Sequence, residues 1–152
     1  MASHANDLRM TSVRSTHDWT IGQWLTLISG LVFLAAGIAG FIVTGFDDFA
    51  GNSQHEMLLG FMVNPLHNTV HLLFGVLALA SFMGAMRSMA FGWLLIVVYG
   101  ATLIYGLFAV GEEWDILNLN VADNWLHAGF VALGAIIVAT SRIHMGHTVR
   151  SH

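Results

Sequence analysis

Two short stretches hold most of the side chains in this chain whose types and spacing suit chemistry. Residues 64–71 read NPLHNTVH and residues 120–127 read NVADNWLH. Each runs at once into an apolar segment, LLFGVLALA after His71 and AGFVALGAIIVA after His127. On a helix, His67 and His71 stand one turn apart, as do Asp123 and His127, so each pair projects from one face. If the two faces meet, His67, His71, Asp123 and His127 make three imidazoles and a carboxylate, a set that suits tetrahedral zinc. Asn68 and Asn124 would then hold the ligands in orientation. The outer stretch His55-Glu56-Met57 could feed such a site, and its methionine tilts the choice toward copper. A bis-histidine haem on His71 and His127 is a further variant, because helix bundles host such groups. The asparagine beside each histidine and the few aromatics on that face weigh against it.

The same residues admit a structural reading, and it is the leading expectation. Polar groups inside an apolar element must find partners. Asn64, Asn68, His71, Asn120, Asn124 and His127 would form a hydrogen-bonded seam between two helices, His71 reaching Asn124 and His127 reaching Asn68. In membrane bundles such bonds are worth about 0.6 kcal/mol each. The seam reading makes the protein non-catalytic, a scaffold, assembly factor or accessory subunit with no cofactor. The metal reading is the alternative. No nucleophile–base pair stands out, so no enzyme is expected. A single polar seam at one end offers no continuous path for transport.

The elements that position these residues follow from periodicity and composition. Set 56 positions apart, Glu56 meets Glu112, Asn64 meets Asn120, Asn68 meets Asn124 and His71 meets His127, while His67 meets Asp123. The pattern E-x7-N-x3-N-x2-H thus occurs twice, which suggests two parallel helix–loop–helix repeats about an axis along the membrane normal. Asn64 before Pro65 is a strong helix start, and Asn120 with Asp123 resembles a capping box. Each helix carries one stripe, polar at its start and small toward its middle, through Gly75 and Ala78 in one and Val131 and Gly134 in the other. Both stripes are expected to turn inward toward each other.

Of 152 residues, 56% are hydrophobic and 9% charged. Soluble domains carry about 25% charged residues, so the lipid bilayer is the expected solvent. Cysteine is absent, which excludes disulfides and thiol chemistry. All five basic residues are arginines, so lysine-based chemistry is excluded, and the net charge of −4 speaks against nucleic acid as a partner. Four spans of roughly 20 residues are expected, at 21–44, 65–83, 91–110 and 124–141. An all-α, four-transmembrane-helix bundle over residues 19–142 follows, with cytoplasmic tails at 1–18 and 143–152. Arg9, Arg14, Arg87, Arg142 and Arg150 fall in the tails and the second connection. Asp47, Asp48, Glu56, Glu112, Glu113 and Asp115 fall in the other two. Positive-inside logic places both termini in the cytoplasm of a plasma-membrane protein. A homo-oligomer or a larger membrane complex is the expected assembly.

The motifs NPLHNTVHLLFG and NLNVADNWLHAGF, with the four spans, resemble the small, mainly actinobacterial membrane proteins grouped as domain of unknown function 4383. The likeness covers roughly Trp19 to Ser141. It implies a multi-pass membrane protein and no particular activity.

Overall fold

The computed structural model describes residues 19–52 and 56–149, with side chains described as far as 142. Among these residues the chain forms α1 (Ile21–Thr44), β1 (Met57–Leu58), β2 (Phe61–Met62), α2 (Pro65–Ser81), α3 (Ala85–Ala109) and α4 (Val121–Val149). His55, Arg9, Arg14 and Arg150, used in the charge and metal arguments above, lie outside the described residues.

Local chemistry sets the helix ends. Thr20 and Gln23 make a capping box at α1, Gln23 N–H donating to Thr20 Oγ1 at 3.1 Å and Thr20 N–H to Gln23 Oε1 at 3.0 Å. Asn64 Oδ1 accepts from His67 N–H at 2.8 Å, with Pro65 in the first turn of α2. Asn120 and Asp123 cap α4 reciprocally, at 3.1 Å and 2.8 Å. α3 starts at Ala85 rather than near Phe91 because Arg87 and Ser88 close the turn from α2. Arg87 Nη1 donates to Ala80 O at 3.3 Å and Ser88 Oγ to Ser81 O at 3.4 Å, occupying carbonyls that the end of α2 leaves free.

α1, α3 and α4 (as far as Arg142) are each long and apolar enough to cross a membrane. α2 is shorter, and its 17 residues reach about 25 Å, near the lower limit for a span. The exterior is apolar: Ile42, Val76, Val97, Leu107 and Trp125 are all exposed, while Gln23, Thr26, Asn68, Ser88 and His127 are fully buried. That inversion is what a lipid solvent selects.

α1 lies along α2, and α3 along α4. Small residues permit both approaches. Gly30, Gly37 and Gly40 of α1 face Ala78, Leu72 and Asn68 of α2. A Cβ on Gly92 or Gly134 would fall 2.8 or 2.6 Å from the carbonyl oxygen of the other, so α3 and α4 touch backbone to backbone there. The expected side-by-side contact of α2 with α4 is absent, since no Cα atoms of the two come within 8 Å of each other. Gly75, expected at that contact, faces Leu34 of α1 instead. Aromatic bulk explains it. Phe33 and Tyr99 stack at the bundle centre, ring centroids 5.6 Å apart and 12° from parallel. Phe74 of α2 packs on Tyr99 at 4.9 Å, and Phe130 of α4 packs on Phe33 at 4.7 Å. These rings hold α2 and α4 apart across the diagonal.

The central contacts pair off between the halves. Phe33 and Tyr99 are 66 positions apart, as are Gly40 and Gly106, and Gly45 and Gly111. Phe74 and Phe130 are 56 apart, like the polar motifs. α1 and α3 both lead into a left-handed glycine, Gly45 at φ 63° and Gly111 at φ 86°, a backbone state that glycine adopts without steric cost. The shift between 66 and 56 arises from the first loop, which holds a hairpin that the second lacks.

Candidate functional site

The two polar motifs meet at one end of the bundle, under a roof built by the loops. In the first loop, β1 and β2 pair Met57 with Met62 and Leu58 with Phe61. Leu59 at φ 54° and Gly60 at φ 94° make the tight turn between them, the double left-handed geometry that matches strand twist. In the second loop, buried Asp115 accepts from Leu119 N–H at 2.6 Å and Leu117 N–H at 3.1 Å. Tyr105 of α3 supports the same loop, accepting from Ile116 N–H at 2.9 Å and donating to Asp115 Oδ1 at 3.3 Å.

Asparagines stitch the loops together. Asn64 Nδ2 donates to Gly51 O at 3.0 Å and Ile116 O at 2.8 Å. Asn118 Nδ2 donates to Val63 O at 3.0 Å, and Asn120 Nδ2 to Gly60 O at 2.9 Å. Asn64 and Asn120 are therefore caps and loop clamps, not members of a seam between α2 and α4. The roof also buries residues that their helix-start positions would place near water: His67 is 4% exposed and Asp123 1%. The His67 ring lies against the backbone of Met62 and Leu117, one from each loop.

Asn68 and Asn124 turn away from the opposite histidines, toward the partner helix of their own half. Asn68 Nδ2 donates to Thr44 Oγ1 of α1 at 3.0 Å, and its amide rests on Gly40. Asn124 rests on Gly106 of α3 in the same way. A Cβ at either glycine would collide with the amide oxygen. The expected pairs His71–Asn124 and His127–Asn68 do not form. The reason is steric, since each asparagine fills the notch that a glycine opens beside it.

The imidazoles remain together in the centre. His67 and His71 have ring centroids 4.6 Å apart, and His67 and His127 6.1 Å apart. Below them lie the stacked aromatics, His71 on Phe33 at 5.8 Å and His127 on Tyr99 at 5.4 Å. Both ring nitrogens of His71 lack a hydrogen-bond partner among the described residues. So do His67 Nδ1, His127 Nδ1, Asp123 Oδ1 and the Tyr99 hydroxyl. An unpaired buried polar group costs about 1–3 kcal/mol, so this cluster is the least satisfied part of the interior. Among the described residues no three of His, Asp and Glu converge in a metal-holding arrangement. The four metal candidates are close neighbours, but their donor atoms do not converge on one point.

The opposite end carries the basic residues. Gln23 at the start of α1 donates through Nε2 to Phe82 O in the α2–α3 turn at 3.0 Å. Arg87 follows that turn, and Arg142 of α4 stacks its guanidinium on Trp93 at 5.8 Å. Among the described residues, arginines and acidic residues thus occupy opposite ends of the bundle.

Sequence reasoning missed Gly40, Gly106 and Phe33 as members of this region. Their signal, a second set of matches 66 apart, is hidden when one register of 56 is applied to the whole chain.

The family model described as a domain of unknown function, 4383, matches residues 23–140. No curated protein and no solved structure matches the chain.

Proposed function

From a chain that belongs to the domain of unknown function 4383 family, a multi-pass membrane protein with no activity in its family name, we propose a non-catalytic membrane protein whose histidine cluster binds a ligand. The observation that carries this reading is the set of unpartnered imidazole nitrogens on His67, His71 and His127, beside the unpartnered Asp123 Oδ1. A seam built for stability would pair these atoms, yet Asn68 and Asn124 turn to the glycines of their own halves and leave their own Oδ1 atoms without a partner among the described residues. Binding sites carry such local costs because their groups are set for a partner outside the chain. The matched contacts of the two halves support an origin by duplication, with the cluster near the pseudo-symmetry axis. The separation of arginines from acidic residues supports cytoplasmic termini and a plasma-membrane location, with the cluster toward the outer face.

The test is stability without added ligand. His71→Leu and His127→Leu remove unpartnered nitrogens and keep most of the volume. Both are expected to raise the unfolding temperature of the purified protein in detergent. A clear fall for both would restore the seam. A zinc or copper ion held by His67, His71, Asp123 and His127 is a separate outcome. It would show as a stoichiometric metal in the purified protein, lost together with stability on chelation.

A further inference from the structure

A cavity of about 460 Å³ lies between α1 and α4 under the hairpin, within the range of small-molecule sites. Ala35, Ala36 and Ala39 give α1 a shallow face here, and Phe33, Phe61 and Phe130 wall the space. Its rim includes Val32 and Leu59, which are 53% and 91% exposed. The cavity therefore opens sideways, toward the lipid-facing surface of the bundle. Among the described residues, its only ionisable lining residues are His71 and Asp123. They are 7% and 1% exposed, and both carry unpartnered atoms.

We propose that this cavity binds a neutral isoprenoid quinone or quinol that enters from the bilayer and sets its ring head on His71 and Asp123. Lateral opening and an apolar wall select a ligand dissolved in lipid. Two buried hydrogen-bonding residues in an otherwise apolar lining select a small polar head on a long apolar body. A neutral imidazole donates from one nitrogen and accepts at the other, and a carboxyl oxygen accepts. A quinone carbonyl accepts from His71, and a quinol hydroxyl donates to His71 or to Asp123 Oδ1, so either form meets a partner. The flanking phenylalanines present ring faces and edges to a flat aromatic head. Phosphate-headed lipids fit poorly, because no arginine among the described residues lines the cavity and the Asp123 carboxyl would face their charge. The second loop, by contrast, has no hairpin. The inserted loop of the first half is what encloses this site.

This inference rests on the reading of the cluster as a binding site and names its ligand. The test titrates the full chain in lipid nanodiscs with a naphthoquinone bearing one isoprene unit, reading quenching of tryptophan fluorescence. Saturable quenching is expected. Asp123→Asn keeps an oxygen to cap Asn120 and is expected to weaken binding about threefold. His71→Phe is expected to weaken it at least about tenfold. Ala36→Trp fills the cavity from its lipid side and should abolish saturation, whereas Ile104→Trp, on the exposed face of α3, should leave it intact. Non-saturable quenching, or equal binding by Ala36→Trp and the parent, overturns the proposal. So does displacement of the quinone by added phosphatidylglycerol, which would assign the site to an anionic head. If His71→Leu still stabilises the protein while no quinone binds, the ligand assignment fails and the binding-site reading stands. If His71→Leu destabilises it, that reading fails as well.

Discussion

The α3–α4 crossing gives the sharpest test of the packing argument, because Gly129 and Gly134 of α4 lie in opposite surroundings. At Gly134 an added Cβ would lie 2.6 Å from the carbonyl oxygen of Gly92 and 3.0 Å from Leu95 Cβ and Ile96 Cγ1. The nearest atom is backbone, so no rotamer change can relieve the contact. The helices must move apart until that distance reaches an ordinary 3.4 Å, a shift of roughly 0.8 Å in a close-packed interior. Overpacking of this kind costs about 1–3 kcal/mol. At Gly129, one and a half turns earlier, an added Cβ meets nothing within 4 Å. There the substitution only reduces backbone freedom and should stabilise by roughly 0.5–1 kcal/mol. Gly134→Ala gains the same backbone term, so the two should differ by the overpacking cost alone, roughly 1–3 kcal/mol, with Gly129→Ala the more stable. Reversible unfolding in mixed micelles, followed by circular dichroism against a rising denaturing detergent, measures both. Similar effects at the two sites would refute the backbone contact between α3 and α4, and with it the pairing of helices on which the site geometry rests.

Other expectations follow from the loops and caps. Tyr105→Phe removes the hydroxyl that holds Ile116 and Asp115; it should cost about 1 kcal/mol and raise amide hydrogen exchange in 114–119 while leaving α1 and α2 unchanged. Asp115→Ala frees the amides of Leu117 and Leu119 and should destabilise by about 2–3 kcal/mol, more than Asp115→Asn in the same unfolding assay. Leu59→Gly relieves a left-handed residue in the hairpin turn and should stabilise the free protein by up to about 1 kcal/mol. Protection at Met83→Cys and labelling at Glu113→Cys by an impermeant maleimide in intact cells is expected from the charge split; the reverse pattern would invert the orientation.

Several features were legible in the chain itself because they depend on neighbours in sequence. Asn64 with Pro65, and Asn120 with Asp123, mark helix starts through bonds that close within three residues. The spans follow from runs of apolar residues, and the gathering of arginines at one end follows from the alternation of connections. The stripe on α2 was also readable, since His67, Asn68, His71, Phe74, Gly75 and Ala78 are all buried as 3.6-residue periodicity requires.

What each stripe touches was decided only by the tertiary structure. Periodicity gives the direction of a side chain from its own axis and says nothing about which helix lies there. Asn68 finds Thr44 and Gly40, and Gly75 finds Leu34, because α1 offers the small residues that admit them. The Phe33–Tyr99 stack keeps α2 and α4 apart, and its bulk acts across elements that share no local pattern. The loops then fold over the helix starts and bury His67 and Asp123. Sequence identified the histidines; long-range packing decided that both nitrogens of His71 and one each of His67 and His127 would find no partner among the described residues.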